Sequence, residues 1–179
     1  MVLIGTDRLR VRPIEAADEP HVRCYAGRED YCPYLPVDPK QPETVVSYVR
    51  QQISPEGLDA GNALALAIVP GGVDRPVGTI TVSVEPFPVP IGQLEFTLDP
   101  EYRGRGYMTE ALESVLPLAF RDLGLLRICA ASDVDNVDCQ NVLERVGMQQ
   151  TKRLPEYRTV NGEKRDAFLY VLDAKPAEK

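Results

Sequence analysis

The chain has 179 residues, of which 44% are hydrophobic and 26% are charged, and its formal net charge is −7. This composition is typical of one soluble globular domain and excludes disordered, collagen-like and membrane-embedded classes. The acidic balance argues against nucleic acid as the main partner, because a phosphate backbone needs a basic surface. The negative charge either steers cationic molecules towards the protein or serves solubility.

The start of the chain and its cysteines exclude several further classes. Residues 1–7 lack the basic and then apolar sections of a signal peptide, and no apolar run is long enough to span a bilayer. We therefore expect a cytoplasmic protein without membrane contact, with one domain over residues 1–179 and a frayed tail over 175–179. His21 is the only histidine and no Cys-x-x-Cys pair occurs, so we expect no metal site and reduced thiols. The cysteines are Cys24, Cys32, Cys129 and Cys139.

The first part of the chain predicts a strand, a helix, a loop and a second helix. Apolar and basic residues alternate over Leu9–Pro13, as in a half-buried strand, and Asp18-Glu19-Pro20 marks the start of a helix. Prolines interrupt the segment 32–42, which predicts an ordered surface loop. A helical pattern resumes over residues 45–50, with a proline and a glutamate at its entrance.

Three strands are predicted in the middle of the chain. The apolar runs 63–69 and 77–84 lie on either side of a Pro-Gly-Gly sequence and predict a hairpin. Residues 93–98 alternate in polarity and predict a third strand. Its two faces carry Leu94, Phe96 and Leu98 on one side and Glu95 and Thr97 on the other.

A helix over residues 109–123 is the strongest helical signal, because apolar residues recur every three or four positions and Gly124 stands where a C-terminal cap belongs. Pro117 removes one backbone hydrogen bond, so we expect a kink there and not the end of the helix. The apolar positions are Leu112, Val115, Leu116, Ala119, Phe120 and Leu123.

The last part of the chain repeats strand and helix and then forms a hairpin. Residues 126–131 predict a buried strand, Asn136 or Asp138 can cap a shorter helix, and Gly147 ends it. Segments 157–160 and 167–172 flank Asn161-Gly162, a strong hairpin-turn signal. No internal repeat or second domain is evident.

A glycine-rich turn at the start of the helix carries the chemistry. The strand 93–98 runs through Asp99–Gly106 directly into the helix. The first turn of a helix has unpaired N–H groups and a partial positive charge, and glycines let a pyrophosphate approach the backbone. The spacing is neither that of a P-loop nor a complete Gly-x-Gly-x-x-Gly, which disfavours nucleoside triphosphates and NAD. An ordinary tight turn with solvated arginines is one alternative; an RNA-binding Arg-Gly motif is another, but it needs repeats that this chain lacks.

Residues 103–108, Arg-Gly-Arg-Gly-Tyr-Met, resemble the Arg/Gln-x-x-Gly-x-Gly/Ala signature of GNAT acetyltransferases, with Met108 where Gly or Ala is usual. Residues 8–13 together with Asp18 are similar to the opening of the ribosomal-protein (alanine/serine) N-acetyltransferase branch. Residues 136–148 resemble its closing motif, with Cys139 in place of Ser and Met148 in place of Phe.

The resemblance implies an α/β (α+β) single domain of the GNAT fold. A mostly antiparallel, twisted central sheet would be splayed at the acetyl-CoA site, at the strand ending at Leu98, with helices on both faces. Acetyl-CoA would be the co-substrate, its pyrophosphate on the glycine loop and its pantetheine arm along the splayed strand. The implied cofactor-binding residues are Phe96, Thr97, Leu98, Arg103, Gly104, Arg105, Gly106, Tyr107, Met108, Thr109 and Asn136.

The resemblance also implies catalytic residues for acetyl transfer to an amine, with a backbone N–H of the splayed strand polarising the thioester carbonyl. Cys139 takes the place of a Ser that gives the departing thiolate its proton; a small buried helix residue is the alternative. For the general base the candidates are Glu156, by its position before the final hairpin, and Glu95, on the strand of the acetyl site. His21 is expected to be structural.

No motif identifies the acceptor, but the pKa values of amines restrict the class of acceptor. About a tenth of an α-amine of pKa about 8 is neutral at pH 7. The neutral fraction of a lysine side chain of pKa near 10.4 is about a hundredfold smaller. This favours a protein N-terminal amine or a small amine of lowered pKa as the acceptor. The enzyme itself is expected to be a monomer or, as the resemblance allows, a homodimer. The alternatives are a noncatalytic acyl-CoA-binding module, a transferase for a longer acyl-CoA such as succinyl-CoA, and a module that binds basic proteins through the acidic surface alone.

Overall fold

The computed structural model describes residues 4–31, 33–35, 37–38, 40–53, 63–85 and 89–175. Residues 176–179 of the tail that is predicted to fray over 175–179, and part of the predicted proline-rich loop, lie outside these ranges. The strands are β1 (Ile4–Gly5), β2 (Leu9–Pro13), β3 (Ala63–Pro70), β4 (Gly78–Glu85), β5 (Ile91–Leu98), β6 (Arg127–Asp133), β7 (Gln149–Val160) and β8 (Glu163–Asp173). The helices are α1 (Glu19–Ala26), α2 (Pro42–Ile53), α3 (Tyr107–Asp122) and α4 (Val137–Arg145), with short 3₁₀ turns at Ala16–Asp18 and Pro100–Tyr102.

The strands form one sheet in the order β1-β2-β3-β4-β5-β6-β8-β7. Every neighbouring pair is antiparallel except β5 and β6, which are parallel. The parallel pair requires a crossover, and α3 supplies it between β5 and β6. The predicted mostly antiparallel sheet is therefore confirmed. Of the described helices, none is long and apolar enough to cross a membrane.

Helices cover both faces of the sheet, as predicted. Apolar residues of α3 and α4 meet alternate strand residues in the larger core, and α1 and α2 contribute to a second core. Strand β3 shows that both faces are covered, because Leu66 and Ile68 belong to the larger core while Ala67 and Val69 point the other way and are also buried. A strand buried on both faces has an unbroken apolar sequence, which is what residues 63–69 have.

The sheet opens between β5 and β6. Their pairing covers only Ile91–Gln93 and Arg127–Cys129. Beyond these residues β5 continues to Leu98 on β4, and β6 continues to Asp133 on β8, without further pairing between β5 and β6. The facing edges therefore leave backbone N–H and C=O groups for another partner. This opening is the splay predicted at the strand ending at Leu98.

The continuation of the long helix and two turn signals in the C-terminal half are confirmed. Helix α3 runs through Pro117, and Gly124 just after it has φ 61°, the left-handed conformation of a C-terminal cap. Asn161 and Gly162 have φ 51° and 83°, as a type I′ hairpin turn requires. Strand β7, however, begins at Gln149, well before the predicted 157–160. Its side chains are mostly exposed and two irregularities interrupt its register, so no apolar alternation marks it.

An ion pair ties β2 to the start of α1. The Arg12 guanidinium donates to both carboxylate oxygens of Asp18 at 2.7 and 2.8 Å, and the Glu15 N–H donates to the same carboxylate at 2.9 Å. Burial acts to raise the pKa of the Asp18 carboxyl, but these hydrogen bonds outweigh it and hold the pKa below its ordinary value. Asp18 is thus charged at neutral pH and fixes the entrance of α1.

Candidate functional site

A cleft of about 800 Å³ lies at the opening of the sheet. Its walls come from the end of β5, the glycine-rich loop and first turn of α3, one side of α4, and the chain just after α1. All the predicted cofactor-binding residues except Arg105 line it. The size is that of a site for a small molecule or cofactor.

Asp99, the first residue of the glycine-rich loop, is 2% exposed and anchors the loop to the end of β5. Its carboxylate accepts from the Glu101 N–H at 3.1 Å, its N–H donates to the Val77 carbonyl at 2.7 Å, and Arg75 lies 3.4 Å from the carboxylate. Pro100 and the 3₁₀ turn that Asp99 caps stiffen this entrance. The loop therefore begins at a fixed point at the end of β5.

Glycines shape the loop where α3 begins. Gly104 and Gly106 have φ 72° and 76°, which side chains rarely adopt, and Gly106 is the N-cap of the helix. Intrahelical bonding starts with the Glu110 N–H, which donates to the Gly106 carbonyl at 3.0 Å. The N–H groups of residues 107–109 precede that bond, and these residues line the cleft. The geometry is that of an anion site at a helix N-terminus.

Met108, where the resembling signature has Gly or Ala, does not crowd this site with its side chain. It is 5% exposed and packs in the larger core with Leu112 and other residues of α3. At this position, therefore, only the backbone is available to contact an anion.

The two loop arginines are engaged in holding protein segments together. Arg103 borders the cleft, but its guanidinium donates to the carbonyl of Tyr31, to that of Asp30 at 3.2 Å and to that of Leu98 at 3.4 Å. Arg105 donates to the Glu101 carbonyl at 3.0 Å and lies 5.1 Å over a tyrosine ring, away from the cleft. Arg103 thus joins the chain after α1 to the end of β5, and contact of either arginine with a pyrophosphate stays a prediction.

Arg8 supports the loop from β2's side, which the sequence did not indicate. Its guanidinium donates to the Glu110 carboxylate at 2.7 Å and to the Arg105 carbonyl at 2.9 Å, and lies 5.0 Å over the Tyr107 ring. Burial acts to raise the pKa of Glu110, but hydrogen bonds from Thr6 and Arg8 outweigh it and lower the pKa. The motif pattern around Arg8 signalled a strand, and only the packing of α3 beside that strand brings the two together.

The start of α4 forms the opposite wall. The Asn136 side-chain oxygen accepts from the Cys139 N–H at 3.2 Å, confirming Asn136 as the helix cap. Arg165 of β8 holds Asp133 at 2.5 and 3.0 Å and Asp135 at 2.7 Å, which fixes the turn before the helix. The amide NH₂ of Asn136 remains as a donor beside the cleft.

The three predicted catalytic residues are not brought together. Cys139 is half-buried and lines the cleft. Glu95 is exposed on β5, and Glu156 is exposed in a bulge of β7, where its φ is 49° and its carboxylate pairs with Lys164; neither lines the cleft. His21 is exposed on α1 and does not line it either. No cluster of metal-ligating side chains occurs among the described residues.

Sequence reasoning named no site residue in the wall formed by the chain after α1. Tyr31 is 1% exposed, and the Tyr34 hydroxyl donates to the Asp135 carbonyl at 3.1 Å, bridging this wall to the turn before α4. Glu29, Asp30, Asp135 and Asp138 add carboxylates to the cleft wall. Asp138 is in the first turn of α4, and the others stand in turns without periodicity. No local signal assigned any of them to a site.

Comparison with known proteins gives a consistent result. The family described as "Acetyltransferase (GNAT) domain" matches residues 8–149. The uncharacterized N-acetyltransferase YnaD of Bacillus subtilis is 23% identical over 169 residues, covering 94% of this chain and 95% of that protein.

Two solved structures share the fold. The ribosomal-protein-S5-alanine acetyltransferase of Vibrio fischeri has a TM-score of 0.81 at 24% identity, covering 97% of both chains. RimJ of Mycobacterium smegmatis, solved in complex with CoA-disulfide, has a TM-score of 0.74 at 23% identity, covering 93% of this chain and 82% of that one.

Proposed function

Because the chain belongs to the GNAT acetyltransferase family, we propose that it transfers the acetyl group of acetyl-CoA to a protein N-terminal α-amine or a small amine, by direct attack in a ternary complex. The observation that carries the proposal is the continuous cleft, which joins the helix N-terminus of residues 106–109 to the unpaired edge of β5. An anion site and a splayed strand in one cavity fit a cofactor that has a pyrophosphate at one end and an acyl thioester at the other.

In the proposed complex the pyrophosphate accepts hydrogen bonds from the N–H groups at residues 106–109. The pantetheine amides pair with the free backbone of Phe96–Leu98 and with the Asn136 side chain. A backbone N–H of this strand then lies near the thioester carbonyl and stabilises the charge of the tetrahedral intermediate. Transfer forms the amide bond, breaks the carbon–sulfur bond and needs a proton for the thiolate.

The acceptor enters beside the acidic part of the wall. Glu29 and Asp138 are exposed and line the cleft. Their negative charges attract an acceptor that carries an ammonium group and repel one that carries a carboxylate. An α-amine is the favoured nucleophile, because about a tenth of it is neutral at pH 7 without a strong base. The fold shared with the S5-alanine acetyltransferase supports a protein N-terminus as acceptor.

Glu156 and Glu95 stay predictions for the general base. Both lie outside the cleft, and Glu156 is already paired with Lys164. Because neither carboxylate lines the cleft, a proton that leaves the amine would pass through water to reach Glu95 or Glu156. We therefore propose that the neutral fraction of the α-amine attacks directly and that water accepts its proton.

The test is an acetylation assay with a peptide that has a free N-terminus, the same peptide with a blocked N-terminus and one lysine, and a set of small amines. We expect a mass gain of one acetyl group on the free peptide, with a rate that rises with pH up to about 8 as the amine deprotonates. Binding of acetyl-CoA without product on any acceptor indicates a noncatalytic module. Faster transfer from succinyl-CoA indicates a longer acyl donor.

Cys139 is proposed as the proton donor to the CoA thiolate. Cys139→Ser is expected to keep kcat within about threefold, whereas Cys139→Ala lowers kcat by about 100-fold, the lower range for loss of a general acid, with KM for acetyl-CoA unchanged. Cys129→Ala is the matched control, since Cys129 is a half-buried thiol that does not line the cleft. A wild-type kcat in the Cys139→Ala variant would show that Cys139 has only a packing role.

A further inference from the structure

A second depression of about 450 Å³ lies beside the cleft. Gly106, Thr109 and Arg145 line both cavities, so the two are adjacent at the first turn of α3 and the last turn of α4. The second depression includes no residue of β5, so it continues the cleft away from the proposed acetyl end. The second depression therefore gives room for a long ligand whose pyrophosphate lies at the glycine loop.

One side of α4 connects the two cavities. Asp138, Asn141, Val142 and Arg145 recur every three or four residues, and all line the cleft. They form a stripe along two helical turns, about 10 Å in length. Arg145 is at the far end of this stripe, in the last turn of α4, and is exposed.

Arg145 is also available for a ligand. Three arginines border the two cavities, and Arg8 is paired with Glu110 while Arg103 donates to backbone carbonyls. Arg145 forms no ion pair or hydrogen bond through its side chain with any residue in the described part of the chain. A guanidinium without such partners, next to an anion site, can bind a phosphate group through two parallel hydrogen bonds.

We propose that Arg145 binds the 3′-phosphate of the adenosine in CoA and so makes the protein discriminate CoA from its 3′-dephospho form. The inference rests on the proposed function, since it takes the pyrophosphate to lie at residues 106–109. The nucleotide then lies on the side of the second depression, where Arg145 stands at the junction.

The remaining charges of the depression restrict the phosphate to this junction. Glu110 is neutralised by Arg8, but Asp7 and Glu113 are further carboxylates in its wall. A phosphate monoester has between one and two negative charges at pH 7, so it is repelled from that part of the wall. Arg145 is the attractive group that remains on the other side.

The test is calorimetric titration of wild type, Arg145→Gln and Arg145→Lys with CoA and with 3′-dephospho-CoA at low and moderate salt. Arg23→Gln is the matched control, because Arg23 is exposed on α1 and lines neither cavity. We expect wild type and Arg23→Gln to bind CoA about tenfold more tightly than dephospho-CoA, the size of one partly exposed charge-assisted hydrogen bond. Arg145→Gln binds both at the dephospho-CoA level, and Arg145→Lys keeps part of the difference and its salt dependence.

The outcomes separate the inference from the function on which it rests. Equal binding of CoA and dephospho-CoA by wild type, or an unchanged preference in Arg145→Gln, overturns the role of Arg145 and leaves the acetyl-CoA site in place. Failure of folded wild type to bind either form overturns both. Because Arg145 is exposed, the substitution is not expected to change the melting temperature, which serves as the check on folding.

Discussion

Gly106→Glu is expected to weaken acetyl-CoA binding by at least about 100-fold, equivalent to about 2.7 kcal/mol. Gly106 is the N-cap of α3 and has φ 76°, so a side chain strains the backbone that presents the N–H groups. Its Cβ would stand 3.5 Å from an Arg8 guanidinium nitrogen, and its carboxylate would place negative charge where the pyrophosphate is proposed to bind. Calorimetric titration with acetyl-CoA and CoA measures the loss.

The control for this substitution lies at the other end of the same helix. Gly124 has φ 61°, and no atom lies within 4 Å of a Cβ built there. Gly124→Glu therefore introduces the same side chain, charge and left-handed strain far from the cleft. Equal affinity of Gly106→Glu and Gly124→Glu for acetyl-CoA would mean that the glycine loop does not bind the cofactor.

Gly78→Ala is expected to lower the free energy of unfolding by about 3 kcal/mol, the upper range for overpacking, and the melting temperature by roughly 6 to 12 °C. A Cβ at Gly78 would stand 2.6 Å from the Thr97 carbonyl oxygen and 2.8 Å from a Leu98 methyl group. Strand β4 lies directly beside β5 at this point, so the clash pushes Thr97 and Leu98 into the opening of the sheet. Thermal unfolding and acetyl-CoA titration measure the two effects.

Gly5→Ala is the matched control for Gly78→Ala, because Gly5 also lies in a strand and has no atom within 4 Å of a built Cβ. We expect it to unfold at the wild-type temperature. Acetyl-CoA affinity in Gly78→Ala should fall even well below its melting temperature, since the displaced residues are those proposed to hold the pantetheine arm. Unchanged affinity in a destabilised Gly78→Ala variant would contradict the role of residues 97–98 in binding.

Local signals in the sequence predicted most of the elements because their causes are local. Left-handed conformations at Gly124, Asn161 and Gly162 follow from the residue types, and the capping of α4 by Asn136 is a contact across three residues. The continuation of α3 through Pro117 also follows from the apolar spacing on both sides of it. Residues 149–156 of β7 escaped prediction because their mostly exposed side chains have no polarity pattern.

The glycine-rich turn could also be predicted, and with it Asn136 and Cys139 of the cleft, whereas the contacts that hold the loop in place could not. A glycine-rich turn between a strand and a helix is contiguous in sequence, so its chemistry is visible in residues 99–109. Arg8 contacts this loop across nearly a hundred positions, and Tyr34 bridges to Asp135 across a similar span. Such contacts depend on which strands are neighbours, and no local pattern encodes that order.

The sequence also could not predict where a long side chain points. Arg103 belongs to the predicted signature, yet its guanidinium is satisfied by the carbonyls of the chain after α1. Arg145 belongs to no predicted site, yet it borders both cavities. Arginine has many rotamers of similar energy, so the acceptors that tertiary packing brings within reach decide its position.

By itself, the sequence determined the kinds of elements, the glycine turn at the start of α3 and, through residues 103–108, the family. The family resemblance also implied the splay at Leu98. Only the tertiary structure decided that β5 and β6 pair over three residues before they separate, that Cys139 lies on the resulting cleft, and that Glu95 and Glu156 do not. The reason is physical: local conformation depends on a few neighbouring residues, whereas a cleft is formed by strands and helices that meet only when the core closes.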